Sequence, residues 1–443
     1  MPRLPENALV VFVSDSHIGG DPGCDGFESP EELRALFDEL AGLERPVELI
    51  LAGDFFDFLQ IGAVPEDKNR ASLTMSRPEY LGLFAALEEF RSGEGKRVVY
   101  LPGNHDAEAW WNPEIQKTLR EAGVVDEFAY SYLAEIEVGG KRRVVYCEHG
   151  NQFDPPNTVE NYSDRLDTPL GHHVVMDFTR RVAPYGEVSP GLDLSEIKMV
   201  YPLVAIPGWV AGRYFYDLAG KVTSYLLLPL LFAYALYRVA TYLLLTDGLP
   251  RLHRLFLDIG VFGLFTVALF AVFFLIVRHV VRRTVNAMSP GVARDEAPRP
   301  SPADLSRAKV REILTGKARP PMAPSLDPST VDVFVSGHTH LPSLDEIERP
   351  DGGRCVAVNS GCYLRQLHPV RPHLKGPPVF VSRFVLTHAR VYTKDGDLRV
   401  ELWEQPKHAR QSLSRIERLL SYGRRPPQPL PGAKPRLRAS STL

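Results

Sequence analysis

A chain of 443 residues is long enough for two or three domains, and 24% charged with 44% hydrophobic residues is the average of an ordinary globular protein. The formal net charge of −3 says little about partners because the charge is unevenly spread, and no nucleic-acid partner is expected. Cys24, Cys147, Cys355 and Cys362 form neither a CxxC pattern nor a dense framework, which excludes a disulfide scaffold and reads as reduced thiols of a cytosol-facing protein.

The chain opens "MPRLPENALVVFVSDSH", without a long apolar region ending at a small-residue cleavage site, so a cleaved export signal is not expected. The run "ALVVFV" reads as a buried strand that stops at Asp15 and His17. In "SPEELRALFDEL", Ser29 as N-cap, Pro30 at the first helical position and Glu32 as a capping-box partner predict a helix. A second strand, "VELILA", ends at Asp54 and Asp57; a helix with Ser76 and Glu79 in the same capping roles follows in "SRPEYLGLFAALEEF". "RVVYLPGNHD" ends a third strand at Asn104, His105 and Asp106, and a helix starts at Asn112 and Pro113 and stops near Gly123. "RRVVYCEHGNQFD" brings a fourth strand to His149. Strand and helix thus alternate over the first 150 residues, as in a layered α/β domain.

The composition then changes. Residues 156–221 mix charges with "YPLVAIPGWVAGRYFYDLAG" and are expected to form a helical cap. Two apolar runs follow, at 222–245 and 256–278, joined by a short linker with Asp247, Gly248 and Pro250. Nineteen to 24 residues at about 1.5 Å each match a hydrocarbon core of about 30 Å, so 222–283 reads as a transmembrane hairpin; the alternative is a pair of core helices in a soluble dimer. Arg238 would snorkel or pair with Asp258. Residues 284–330 are a Pro-rich linker around a short helix at about 302–316. "VDVFVSGHTH" is a fifth strand, ending at His338 and His340, and "RCVAVNSGCY" a further core strand with Asn359, Ser360 and Gly361 near the site rim. From 403 the chain reads as a basic, largely disordered tail, able to lie on an anionic leaflet or simply to be solvated.

Each strand therefore ends in a cluster of Asp, Asn, His and Gly, where open α/β sheets build their sites. Mixed carboxylate and imidazole groups suit Mn, Fe or Zn better than Ca. D-x-H and H-x-H put two ligands on one side of an extended segment, and Asp54 is the natural carboxylate to bridge two cations. Asp57 and Asp154 read either as residues supporting the ligands or substrate, or as loop caps. Trp110 and Trp111 read as cleft walls or as packing, and one of His172 and His173 as a further substrate contact.

Taken in order, "DSH", "GDFFD", "GNHD", "HG" and "GHTH" resemble the five motifs of the calcineurin-like metallophosphoesterases, framing a core at 1–155 and 331–402. The resemblance implies a two-sheet αββα sandwich and two divalent metal ions, Mn first, with Fe or Zn as alternatives. One ion would take Asp15, His17 and His340, the other Asn104, His149 and His338, and Asp54 would bridge them. His105 would contact the phosphate and protonate the leaving oxygen, with Asp106 orienting its ring. Such a pair of ions activates a shared water and clamps the oxygens of an in-line displacement at phosphorus.

His149 and His338 should meet at one metal although 188 residues intervene, so the insertion must return the chain to its starting side by an even number of crossings. Arg213 and Lys221 before the hairpin and Arg278, Arg282 and Arg283 after it, against Arg251 and Arg254 in its turn, orient the catalytic domain to the cytoplasm. The reading is a membrane-anchored hydrolase of a phosphoester or pyrophosphate bond, on a lipid-linked or nucleotide-sugar substrate. Within the family, the branch that hydrolyses UDP-2,3-diacylglucosamine acts at a membrane surface; it is expected to show Arg where this chain has His105. A phosphomonoesterase or nucleotide phosphodiesterase with the hairpin as anchor is the alternative, and a non-catalytic membrane scaffold the reading from another class.

Overall fold

After the two-residue strand Arg3–Leu4 (β1), every side chain of Leu9–Val13 (β2) is buried, and strand alternation divides them: Val10 and Phe12 enter one apolar core, Leu9, Val11 and Val13 another. Val47–Ala52 (β3) and Lys96–Leu101 (β4) repeat the division, Ile50, Ala52, Val99 and Leu101 facing the first core and Leu49, Leu51, Val98 and Tyr100 the second. Burial on both faces is why these runs are continuously apolar in the sequence. In this computed structural model the described residues are 2–182, 185–189, 192–202, 205–245, 252–288, 300–374 and 376–443.

The remaining strands are Glu127–Phe128 (β5), Tyr132–Val138 (β6), Lys141–Cys147 (β7), Glu187–Ser189 (β8), Leu192–Asp193 (β9), Val333–Ser336 (β10), Ser343–Glu348 (β11), Arg354–Asn359 (β12), Tyr363–Val370 (β13), Val379–Lys394 (β14), Asp397–Glu404 (β15) and Arg436–Thr442 (β16). One sheet has the order β16-β15-β14-β2-β3-β4-β5, with β13 paired to β14; the other has the order β1-β6-β7-β10-β12-β11. Val10, Phe12, Ile50 and Val99 meet Ala134, Val145, Cys147, Val333 and Val335 between the sheets. Helices Pro30–Ala41 (α1), Arg70–Met75 (α2), Leu81–Ser92 (α3), Glu108–Trp111 (α4) and Pro113–Glu121 (α5) follow the early strands, and α1, α3 and α5 cover the outer face of the larger sheet through Phe37, Leu40, Leu87, Phe90 and Leu119. The result is the expected two-sheet α/β sandwich flanked by helices. Its parallel strands β2, β3 and β4 in one sheet and β7, β10 and β12 in the other end at the residues singled out above.

Helix starts depart from expectation in two places. Ser29 is the N-cap of α1, but its side chain makes no cap hydrogen bond, and the Glu32 carboxylate expected to complete the box instead accepts from Lys407 Nζ at 2.8 Å. Ser76 ends α2 instead of starting α3; α2 begins with a capping box between Asn69 and Ser72, and α3 starts only at Leu81, after the turn in which Tyr80 reaches Asp25. The helix expected from Asn112 is α5, with Asn112 Oδ1 accepting from the Glu114 amide.

The insertion continues with Leu170–His173 (α6), a wider helical turn Val174–Thr179 and Arg180–Val182 (α7). Ile206–Val222 (α8) runs through the turn Thr223–Leu227 into Leu228–Leu245 (α9), so the expected boundary at 221 is no break in the chain: the first apolar run is the far half of a helix that begins inside the cap. The near half packs Trp209 against Val200, Leu367 and Phe380, and Phe215 and Tyr216 against Val379 and Val381. Leu252–Met288 (α10) returns along it. Phe215 with Phe274, Tyr234 with Phe262 and Arg238 with Asp258 are partners in reversed order, so the two helices are antiparallel, and Arg238 is ion-paired to Asp258. Ile206–Leu244 and Leu252–His279 are each long and apolar enough to cross a membrane. The turn with Asp247, Gly248, Pro250 and Arg251, and 289–299 of the Pro-rich linker, lie outside the described residues.

Two charge assignments change. Arg213 is buried, not a membrane-flanking cation: it bonds Glu196 at 2.8 Å and Glu417 at 3.3 Å. The tail is also not disordered along its length, since Arg415–Leu420 (α12) packs on α8 and β16 pairs antiparallel with β15. Leu437 and Ala439 alternate with Arg436, Arg438 and Ser440, and the edge of β15 supplies the hydrogen-bond partners that this short, polar segment lacks alone. The linker helix is Pro302–Leu314 (α11), capped by Ser301 and Asp304, with Val310, Ile313 and Leu314 on the outer face of the smaller sheet.

Candidate metal centre

Asp15 and His17 follow β2, Asp54 follows β3, Asn104 and His105 follow β4, His149 follows β7, and His338 and His340 follow β10; the two sheets bring all eight to one edge of the sandwich. Among the described residues six non-glycine positions have positive φ, and five of them are Asp15, His17, Asp54, His338 and His340, at +49° to +65°. L-residues adopt this left-handed conformation sparingly, so the backbone is held where it aims these side chains inward. Glycines let neighbouring backbones close in: a Cβ on Gly53 would sit 2.5 Å from the His149 ring, and one on Gly103 2.1 Å from Oδ1 of Asp54.

His17 and His340 face each other, Nε2 to Nε2, at 3.2 Å, and Oδ1 of Asp15 lies 3.1 Å from Nε2 of His340 and 3.9 Å from that of His17. A second group holds Asp54, His149 and His338, with Nε2 of His149 3.3 Å from Oδ2 of Asp54. Asp54 also reaches His17 at 3.8 Å, so it stands between the two groups. His149 turns Nδ1 to the Ala52 carbonyl at 2.8 Å, which fixes the tautomer whose Nε2 lone pair faces the carboxylates. Oδ1 of Asn104 is buried and makes no hydrogen bond. Two imidazole nitrogens face to face, a third directed at carboxylates and an unpartnered buried amide oxygen converge as metal-ligating atoms, the donor set a divalent cation satisfies.

The electrostatics agree. Burial would raise Asp15, but the fields of His149 and His340 outweigh it and hold the carboxyl at about 2; His149 and His105 take Asp54 well below the usual range against the same burial. Burial opposes charge on His149, yet Asp54 and Asp15 raise it to about 10. Such a pocket of fixed negative charge draws positive charge, as protons or as metal.

The residue that orients His105 is not the expected one. Asp106 is fully buried and faces away, accepting from Phe55 N at 2.9 Å, Gly103 N at 2.8 Å and the Tyr100 hydroxyl at 2.6 Å; it fixes the loop. Asp57 lies against the ring, 2.9 Å from Nδ1 of His105 and 3.6 Å from Nδ1 of His17. Burial lowers His105, and Asp57 followed by Asp54 overturns that and raises it to about 9. Asp154 meets Nε2 of His338 at 3.1 Å, so both open aspartates support histidines, and neither makes a side-chain cap bond.

A cleft of about 200 Å³ adjoins Asn104 and His105, walled by Phe58, Trp111, Tyr162, His172 and Met176. Trp110 packs on Tyr100 and Phe128, so of the tandem pair only Trp111 lines the cleft. His173 lies instead beside Thr168 and Asp177. Asn359 fixes the loop before His340, donating to Gly337 O at 2.7 Å and Thr339 Oγ1 at 3.0 Å. Tyr201, which no sequence signal marked, reaches in from the insertion, bonds the Thr339 carbonyl and stacks on His340.

The family model described as calcineurin-like phosphoesterase matches residues 8–187. No curated protein matches the chain.

Proposed function

We propose, since residues 8–187 make this chain a calcineurin-like phosphoesterase, that it is a membrane-anchored, dinuclear hydrolase of a phosphoester or pyrophosphate bond carried by an amphipathic substrate. The observation that carries the reading is Asp54, whose carboxylate is shared between the group of Asp15, His17 and His340 and the group of His149 and His338. Asn104, with its free buried oxygen, completes the second group. The donor set of imidazole, carboxylate and amide favours Mn, with Fe or Zn next. Two bound cations supply Lewis acidity and a water activated at neutral pH.

The chain's own residues do the rest. Asp15, His17 and His340 would hold one ion and Asn104, His149 and His338 the other, with Asp54 placed to serve both. His105 donates Nδ1–H to Asp57; with Asp57 and Asp54 holding the ring protonated at neutral pH, Nε2 carries the second proton, which it donates to the departing oxygen. Trp111, Tyr162 and Met176 wall the space beside His105 with apolar and aromatic surface.

The apolar antiparallel pair α8–α9 and α10 supports a hairpin anchor, and Arg278 and Arg283 at the end of the return leg favour a cytoplasmic catalytic domain. The test is a panel of soluble nucleotides, aryl phosphates and lipid-linked phosphates and pyrophosphates assayed with Mn²⁺ on the purified chain. Cleavage of a phosphorus ester that disappears with chelator is expected; a complete blank, with metal content unchanged in Asp54→Asn, leaves only a scaffold. Release of the protein from membranes by alkaline carbonate rejects the hairpin.

A further inference from the structure

The stretch from Leu166 to Val182 wraps one wall of the cleft, and its outer side is unlike the rest of the sandwich surface. α6, the wider turn Val174–Thr179 and α7 run without interruption from Leu170 to Val182. An α-helix turns every 3.6 residues and a π-type turn takes more, so the mixed stretch advances about four residues per turn. Side chains four apart therefore stack in a line, and those two apart point to opposite sides.

The exposures follow that geometry. Leu170, Val174 and Phe178 are 65%, 47% and 50% exposed, and Leu166, in the turn that precedes the helix, is 84% exposed. His172 and Met176, two residues out of step, line the cleft beside His105, and Arg180 continues the inner side against Gly62. Arg181 stands exposed at the far end of the outer stripe, paired with Asp177 at 3.3 Å, while Arg165 turns into the cleft and lies over the Trp111 ring. A single helix thus carries the cleft on one side and an uncovered apolar ridge on the other, roughly 10 Å away across its diameter.

We infer that the Leu166–Leu170–Val174–Phe178 ridge seats in the headgroup–acyl boundary of a lipid surface, so that the cleft behind it opens at that surface and takes a phosphorylated lipid. The occupant is argued from the chain itself. α9 and α10 present Phe232, Leu236, Leu264 and Phe265 to the outside over membrane-length helices, which brings the domain within reach of lipid on the reading proposed above. A short apolar stripe on one side of a helix whose other side is polar, with Arg181 at its end, has the amphipathic form of helices that lie in the interface plane. The inference rests on the phosphoesterase reading for its substrate and on helix geometry for its surface.

The full chain in phosphatidylcholine–phosphatidylglycerol vesicles tests it, with an environment-sensitive fluorophore on Phe178→Cys, since all four native cysteines are buried. Blue-shifted emission, quenched by a nitroxide high on the acyl chain and unchanged as protein is diluted in lipid, is expected; the same probe on Leu374→Cys serves as a wet reference. A Phe178 probe quenched by aqueous iodide alone overturns the proposal, and so does a blue shift lost on dilution, which means a second copy covers the ridge. In the same vesicles, the combined variant Leu170→Asp, Val174→Asp, Phe178→Asp is expected to lower turnover of embedded phosphatidic acid at least about tenfold and to leave a soluble aryl phosphate unchanged; equal loss on both overturns it. Failure of the unmodified chain to cleave either compound overturns the phosphorylated-lipid assignment, a complete blank on the wider panel above rejects the phosphoesterase reading, and the fluorophore decides the surface separately.

Discussion

Nδ1 of His105 lies 2.9 Å from Oδ1 of Asp57, while Asp106, its neighbour in sequence, is turned into the sheet by two backbone amides and the Tyr100 hydroxyl. Two aspartates that look alike on paper therefore do different work. Asp57→Asn removes the first-ranked charge that raises His105 to about 9. The protonated, proton-donating form then survives over a narrower range, and the alkaline limb of the pH–rate profile is expected to move down toward the ordinary imidazole value near 6.5, with turnover at pH 8 falling about tenfold or more. Asp106→Asn is expected to act on thermal stability with the alkaline limb in place. A limb that stays near 9 in Asp57→Asn rejects this assignment.

Metal content separates the ligand roles. Asp54→Asn is expected to bring bound divalent metal, read by mass spectrometry of the purified chain, below two per molecule and to lower turnover by roughly 10²–10³, since each ion contributes several kcal/mol of charge stabilisation. Asp154→Ala leaves the ligands in place and frees His338 from its 3.1 Å partner. Affinity for Mn²⁺ is expected to fall about 10–100-fold by calorimetry, the usual effect of losing a carboxylate that orients a ligating histidine. Unchanged affinity would make Asp154 a loop residue.

Arg213 joins Glu196 on the insertion and Glu417 on α12 in a buried cluster, with about 2% of its side chain exposed. Removing the cation leaves buried Glu417 without a cation and Glu196 with only Arg365 at 3.7 Å, so Arg213→Ala is expected to cost about 3–5 kcal/mol. Replacing all three residues with apolar ones of similar volume is expected to be far milder. Unfolding in detergent measures both, and membrane targeting should be indifferent to either.

How much of this was legible in the residues varies with the physics that decides each part. The strands and the clusters that end them were readable, because burial on both faces leaves a continuous apolar run and the stop is abrupt, as in "VFVSD" and "VFVSG". The choice between Asp57 and Asp106 was not, because adjacency in sequence says nothing about which way a loop turns, and long-range amides at Phe55 and Gly103 decide it. Ser76 carried every local sign of an N-cap, yet α2 claimed it as a C-terminus. The last strand looked like solvated chain because its stability comes from an edge nearly 40 residues upstream, and Tyr201 carried no pattern at all.

Acid stability turns on His388, buried between Arg390, whose Nε donates to its Nε2 at 2.9 Å, and the Tyr363 hydroxyl at 3.2 Å from its Nδ1. Burial and then the Arg390 charge hold its pKa well below the ordinary value. The folded protein therefore keeps it neutral while the unfolded chain binds a proton below about pH 6.5, so stability is complete above that pH and is lost as pH falls beneath it. The slope from this group approaches about 1.4 kcal/mol per pH unit. Thermal unfolding between pH 7 and 5 should show it, and His388→Gln should flatten it despite a lower starting stability; parallel profiles would acquit the residue.

β7 and β10 are hydrogen-bonded neighbours, yet the contact between Val144 and Asp332 joins positions 188 apart. Everything between them, the two apolar helices included, must leave the ribosome before the smaller sheet can close. At roughly 5–20 residues per second that is an interval of roughly 10–40 s, during which β7 offers an open edge and His149 has no His338 beside it. Synthesis therefore imposes an order on this protein: the apolar pair emerges first and the smaller sheet is completed only afterwards, so until β10 docks beside β7 the chain is an unfinished sheet with an exposed edge.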